Sequence, residues 1–316
     1  MTYCLRCMKP IENDRVSQWH PKCTASFFGT SDLPYIELND EILEQLARKT
    51  VSTGKTIPGV QRKLSLHIVR EGNRSHLTVI DHPSGFILKP QSPEYPHLPE
   101  LEDTAMHLAD SVGIKTVPHA LIRMPDGSVA YISKRIDRIG KTTSMRKIAM
   151  EDFCQLSGRL TEDKYKASYE QCGTVLDRYS SRSLLDKTEL WYLIVFCFII
   201  GNSDMHLKNF SLYCPEANHP VLAPAYDLLP VKLVLLQDQE ETALTLQGKK
   251  SHFKRFDFLN LADHFNIAPT AANKLIDRLI QNQQGFESII ERSILPSVLK
   301  ANLSALIIQR INRLNK

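Results

Sequence analysis

No stretch of this sequence is apolar for long enough to cross a bilayer. Its longest apolar run, LWYLIVFCFII at 190–200, has eleven residues, against the ~20 that a spanning helix needs, and it reads as a buried helix. The first residues, MTYCLRCMKPIEND, lack the apolar core of a signal peptide. Seven cysteines are an odd number, unevenly spread, which is not the pattern of a secreted disulfide framework. Low-complexity blocks and internal repeats are missing as well. The net charge of +4 comes without a long basic run, so it does not demand nucleic acid. Together these absences lead us to expect a soluble, cytoplasmic protein with reduced thiols and no membrane association.

What is present suits a globular chain: 316 residues, 42% hydrophobic and 23% charged, enough to bury a substantial core. Residues 37–50 carry apolar residues at helical spacing. LSLHIVREG and HLTVIDHPSGFILKP read as strands, with turns at Glu71–Gly72–Asn73 and Pro83–Ser84–Gly85. ELEDTAMHLADSVG reads as a helix closed by Gly113. ALIRMPDGSVAYISKRIDR reads as a hairpin turning at Pro125–Asp126–Gly127. From about residue 150 the pattern turns mostly helical: MEDFCQLSG, 186–200 and three helices between 255 and 315. The strand candidates there are FSLYC and VLAPAYD. The expectation is an α+β chain: a cysteine-bearing segment over 1–30, a smaller β-rich part over 31–148 and a larger helical part over 149–316.

Beyond the apolar run the chain reads GNSDMHLKNFSL, which puts Asp204, His206, Lys208 and Asn209 within six residues. Asp227 follows at the end of AYD. Carboxylate and carboxamide oxygens are hard ligands of the kind Mg²⁺ prefers, and Mg²⁺ leaves much of its octahedron to phosphate and water. An aspartate five residues before the asparagine could receive the proton of a hydroxyl attacking a γ-phosphate. The plainer alternative is a set of ordinary turn and cap residues after a helix. The four together, ahead of a strand pair ending in YD, favour a site.

GNSDMHLKNFSL and APAYDLLP closely resemble the HipA-like serine/threonine kinases, the toxin kinases of bacterial toxin–antitoxin operons. TIPGVQRKLSL is similar to their phosphate-proximal loop, FILKP to their ATP-contacting lysine and LEDTAMHLADSVGI to the helix that pairs with it. SKRIDR is similar to their hinge and MEDFCQ to a characteristic helix start. The resemblance implies a two-lobed, protein-kinase-like fold using ATP and Mg²⁺. It makes Asp204 the catalytic base and Asn209 and Asp227 the Mg²⁺ ligands. Lys89 would contact the α/β-phosphates with Glu102 as its ion-pair partner, although each alone could be a surface charge. His206 and Lys208 would order the loop or face phosphate. Ser133, Lys134 and Ile136 would form the hinge against adenine, with Asp137 near the ribose or the metal. The hinge resemblance implies an acidic side chain where this chain has Lys134. Gly59, between Pro58 and Val60, can let backbone N–H groups approach a phosphate. The family's loop carries an autophosphorylated serine; the matching position is Thr56, with Ser52 and Thr53 close by.

The same resemblance implies an aminoacyl-tRNA synthetase as substrate, whose phosphorylation halts translation and arrests growth, and a DNA-binding antitoxin as partner. Longer members carry an extra N-terminal subdomain, which the cysteine-bearing segment replaces here. That points to the short, HipT-like branch, served by a separate small HipS-like subunit. Two other classes stay open: a small-molecule phosphotransferase on the same fold, and a catalytically silent nucleotide-binding module. Intact Lys89, Asp204, Asn209 and Asp227 argue against silence.

Two further motifs need separate readings. GKT at 54–56 is not a P-loop, because position 49, where that motif requires glycine, is Lys49. Cys4-x2-Cys7 followed by His20-x2-Cys23 offers four soft ligands in two close pairs, the arrangement of a structural Zn²⁺ knuckle; the alternative is small buried side chains around a hydrogen-bonded histidine. Cys154, Cys172, Cys197 and Cys214 are dispersed and read as core. ANKLIDRLIQ has no basic stripe beside it, so it reads as a packing helix with no direct DNA contact expected.

Overall fold

Alternation builds the main sheet. In β2 (Leu64–Glu71) Leu64, Leu66 and Ile68 are buried while the residues between them are not, the period of two that a half-buried strand requires. β4 (Phe86–Lys89) and β6 (Val129–Lys134) are buried along most of their length, as central strands should be. With β1 (Tyr35–Ile36), β3 (Arg74–Thr78) and β5 (His119–Arg123) they form a six-stranded sheet in the order β1-β3-β2-β4-β6-β5. Every pairing is antiparallel except β1 with β3. The hairpin at 120–134 forms as its turn residues require, with Arg123 opposite Val129.

The structure, a computed structural model, describes residues 2–11, 18–36, 62–72, 74–78, 84–140 and 145–316. The helix expected over 37–50 and most of the loop over 52–63 lie outside them. By its contacts the chain divides into two compact units. One comprises Met1–Thr104, Val117–Lys147 and Arg292–Leu295 and carries the six-stranded sheet, the N-terminal helix α1 (Pro21–Phe28) and most of the first turns of α2 (Leu98–Ser111). It also holds the short pair β7 (Arg138–Ile139) and β8 (Arg146–Lys147). The other comprises Ala105–Thr116, Ile148–Glu291 and Pro296–Lys316.

That second unit is organised around α5 (Ser183–Ile200), whose residues from Leu190 onward are all buried, the signature of a helix apolar on every side. Trp191 anchors it by donating to the Phe258 carbonyl at 2.8 Å. Around it stand α4 (Tyr169–Tyr179), α6 (Arg255–His264), α7 (Pro269–Gln281), α8 (Gln283–Arg292) and α9 (Ser297–Leu314). The C-terminal stretch thus holds four helices where three are expected, because Asn282 alone separates α7 from α8. α7, the ANKLIDRLIQ helix, packs Ala272, Ile276 and Leu279 inward. Among the described residues no helix is long and apolar enough to cross a membrane.

Two segments differ from their sequence reading. MEDFCQLSG begins as a strand, β9 (Met150–Asp152), and only Phe153–Leu156 is helical (α3). Asp152 explains the switch: its carboxylate caps the Gln155 N–H while the Gln155 side chain accepts from its own N–H, a capping box that starts the helix there. β9 joins β10 (Ser211–Glu216) and β11 (His219–Leu222) in a second sheet. VLAPAYD leaves strand structure after Leu222, two residues before Pro224, which has no N–H to give to a ladder.

Candidate active site

α5 ends where the loop bearing Asp204 begins, and its end is built to do so. Gly201 sits at φ 73°; its N–H bonds to the Phe198 carbonyl at 3.2 Å and that of Asn202 to the Cys197 carbonyl at 2.8 Å, the Schellman closure. A Cβ at 201 would come within 2.6 Å of Leu306 Cδ2. Glycine is therefore needed for both conformation and space.

Within 201–210 every residue except Asp204 and Lys208 is buried. The backbone of Asp204 is fixed from both sides. Its N–H donates to Asn202 Oδ1 at 3.2 Å, and its carbonyl accepts from the His206 N–H at 2.8 Å and from Asn209 Nδ2 at 3.0 Å. With the amide nitrogen of Asn209 so engaged, Oδ1 is its atom suited to a cation. The Asp204 carboxylate accepts a 2.6 Å hydrogen bond from the Tyr165 hydroxyl. Burial, then the adjacent charge of Asp204, pushes the Tyr165 phenol well above its ordinary range, so it stays a donor at neutral pH. The Tyr165 ring also meets the His206 ring edge-on, 5.0 Å between centroids. Lys208 turns to Asp152, the capping residue of α3, at 2.7 Å.

Asp227 is tied to this loop through its neighbour. The Tyr226 hydroxyl donates to the Lys208 carbonyl at 3.1 Å and shares a 2.7 Å hydrogen bond with Ser211. It thereby fixes the segment before Asp227 to residues on either side of Asn209. Asp227 itself sits at φ 60°, a region that costs an ordinary residue about 1–2 kcal/mol and collects at working sites.

The β-rich unit supplies a different element. Lys89, the last residue of β4, places Nζ 2.6 Å from Glu102 Oε1, with the two side chains 5% and 2% exposed. Neither is a surface charge. The Lys89 ammonium also stands 5.4 Å from the ring of Tyr131, its cross-strand neighbour. One residue further along α2, Asp103 faces His119 Nδ1 at 2.8 Å, again fully buried.

At the hinge segment, Ser133 lies opposite both Ile87 and His119 in the sheet. The N–H groups of Lys134 and Arg135 are taken by the carbonyls of Pro118 (2.8 Å) and Gly85 (2.9 Å). Ile136 and Asp137 form the turn that follows. Asp137 accepts from Arg135 Nε and Nη2, both at 3.0 Å, and from Arg138 Nη1. Burial works to raise its carboxyl, but the hydrogen bond and charge of Arg135, with those of Arg138, outweigh it and hold the group below the usual range.

Within the helical unit Asn209 and Asp227 offer hard oxygens of the kind that Mg²⁺ takes, and within the β-rich unit Lys89 offers a cation of the kind that phosphate takes. Gly59, Ser52, Thr53 and Thr56 lie outside the described residues. Tyr165, Asp152 and Tyr226 are partners that sequence reading missed. Asp152 and Tyr226 fall inside motifs already singled out, whereas Tyr165 stands 39 positions from its carboxylate with no local signal. At the N-terminus, Cys4, Cys7, His20 and Cys23 bring their ligand atoms within 4.8 Å of one another. Burial, then Cys4 and Cys7, pushes the Cys23 thiol up to about 12. All seven cysteines are free of disulfides.

Comparison with known proteins adds the following. Residues 55–285 match the family model of the HipA-like C-terminal domain. A Haemophilus influenzae protein named "Putative kinase" is 25% identical over 94% of this chain and 92% of its own length. "Putative kinase Y4dM" of Sinorhizobium fredii is 33% identical over 62% of this chain, a match spanning about half (49%) of that relative. Among solved structures, HipA in the Shewanella oneidensis MR-1 toxin–antitoxin complex of HipA, HipB and operator DNA superposes with a TM-score of 0.74. That match covers 87% of this chain and 70% of HipA at 18% identity. The fold is α+β and HipA-like.

Proposed function

Because the chain belongs to the HipA-like C-terminal domain family, we propose that it is an ATP- and Mg²⁺-dependent serine/threonine protein kinase acting as a toxin. The observation that carries this reading is the loop after α5. Asp204 is its one carboxylate within reach of solvent, oriented by Tyr165 and joined through its carbonyl to the Asn209 amide.

In this reading Asp204 orients the target hydroxyl and takes its proton as the oxygen attacks the γ-phosphorus. Lys89, kept in place by Glu102, holds the α/β-phosphates. Ser133, Lys134 and Ile136 lie along the adenine, with Asp137 near the ribose. Asn209 and Asp227 hold the Mg²⁺, which when bound offsets the charge of the transferring phosphoryl group. Lys208, paired with Asp152, keeps the loop in shape, and His206 packs against Tyr165 beneath the base. Positioning and electrostatics then supply most of the rate, as phosphoryl transfer requires.

Family membership supports a protein substrate of the aminoacyl-tRNA synthetase class, a cytoplasmic location and autophosphorylation on Ser52, Thr53 or Thr56. The HipA–HipB–DNA complex supports a DNA-binding antitoxin as partner. A test is expression of the wild type beside Asp204→Asn in a bacterial host, with phosphopeptide mapping of both lysates. The wild type should arrest growth and add phosphate to a synthetase and to residues 52–56, and the variant should do neither. Indistinguishable strains without new phosphopeptides would sink the kinase reading in favour of a silent module.

A further inference from the structure

We propose that Cys4, Cys7, His20 and Cys23 bind a structural Zn²⁺ ion that staples the N-terminal turn to the start of α1, within the segment that docks on the sheet of the β-rich unit. Three thiolates and one imidazole form a closed, soft donor set of the kind that structural zinc takes. Tetrahedral zinc, with bonds of about 2.0–2.3 Å, separates neighbouring ligand atoms by about 3.5–3.8 Å. Here Cys7 Sγ and Cys23 Sγ stand 3.4 and 3.8 Å from His20 Nδ1, and all four ligand atoms fall within 4.8 Å of one another.

The histidine is oriented for the task. His20 Nε2 lies 3.0 Å from the Pro10 carbonyl. A carbonyl can only accept, so Nε2 carries the hydrogen and Nδ1 turns its lone pair toward the sulfurs. A carbonyl behind the imidazole is the outer contact by which metal-binding histidines are commonly fixed.

The backbone brings the two pairs together separately. Cys4 and Cys7 share a tight turn closed by Met8 N–H to the Cys4 carbonyl (3.0 Å) and Cys4 N–H to the Lys9 carbonyl (2.9 Å), with Met8 at φ 52°. His20 and Cys23 flank the start of α1, where Pro21 occupies the first turn, a position that suits its fixed φ.

The segment docks on the sheet through contacts that the ion would reinforce. Trp19 donates to the Leu121 carbonyl at 3.1 Å, and Leu121 N–H to the Leu5 carbonyl at 2.9 Å. Phe27 and Phe28 pack on Phe86 of β4, at 5.8 and 5.3 Å. These contacts rest on β4, which carries Lys89, and on β5, which pairs with the strand of Ser133. The same docking accounts for Lys134, where the family resemblance implies an acid. Its ammonium donates to the Ser26 carbonyl at 3.3 Å, in the last turn of α1, where a cation is favoured and a carboxylate would meet carbonyl oxygens. Such a segment gains folding free energy from a metal that it binds only when folded.

The inference stands apart from the kinase reading, and its test separates the two. The full-length wild type, purified without chelator, should carry one zinc per chain by elemental analysis, and Asp204→Asn and Cys214→Ser should carry the same. Cys7→Ser and Cys23→Ser should lose the metal. Cobalt exchanged into the wild type should show tetrahedral visible bands with strong thiolate charge-transfer absorption, a readout that needs no variant to fold. Chelation should lower the melting temperature and expose Cys4, Cys7 and Cys23 to thiol reagents. A folded wild type that holds neither zinc nor cobalt, or that holds cobalt without thiolate charge transfer, overturns the proposal.

Discussion

In the β-rich unit the candidate charges come from regular elements: Lys89 ends a strand, Glu102 sits in a helix, and both are buried in a 2.6 Å pair. In the helical unit the charges sit on a turn. Asp204 and Lys208 are its only residues within reach of solvent, and each is held by a side chain from elsewhere, Tyr165 and Asp152. The first arrangement ties chemistry to fold stability, because a buried ion that loses its partner is costly. The second separates them, because the buried residues of the loop carry its packing while the Asp204 carboxylate stays half-buried, within reach of solvent. Substitutions in the two places should therefore differ in kind as well as in size.

The largest effect should come from Lys89→Met. Removing the ammonium leaves Glu102 2% exposed and without Lys89, a change that costs about 3–5 kcal/mol and also abolishes transfer. Chemical denaturation should show the loss, and Lys89→Met combined with Glu102→Gln should regain most of the stability but none of the activity. Recovery of activity in the double variant would break the assignment of Lys89 to phosphate.

A smaller effect is expected from Tyr165→Phe. Losing one hydrogen bond to a charged group costs about 1.5 kcal/mol, roughly tenfold in rate, with the fold intact. Since burial and Asp204 raise the Tyr165 phenol, it donates across the neutral range. The ratio of wild-type to variant kcat should then stay flat from about pH 6 to 9, within the span below an ordinary phenol's pKa. A variant that unfolds, or one with unaltered kcat, would show that Tyr165 serves packing alone.

The same contrast explains what could be read from the sequence. The hairpin at 120–134 and the buried α5 were legible because alternation, turn residues and an uninterrupted apolar run are local signals. Asp204, Asn209 and Asp227 stood out because they cluster behind that run. The start of α3 was misplaced because Asp152 acts both as strand residue and cap, a choice decided by β10 pairing with it. Tyr165 was illegible because Asp204 and His206, the partners that give it a place at the loop, lie far along the chain. The burial of Lys89 and Glu102 could not be read either, since a lysine at a strand end and a glutamate on an amphipathic helix look alike whether buried or exposed.

The most direct measurement follows labelled γ-phosphate from ATP to protein hydroxyls in a lysate, using purified wild type and Asp204→Asn, with ATP–Mg²⁺ binding measured in parallel. The account predicts labelled serine or threonine with the wild type, and a fall of about a hundredfold or more for Asp204→Asn, the scale of a lost general base, at nearly unchanged nucleotide affinity. Equal transfer by the two proteins, or a wild type that binds no ATP, would contradict it.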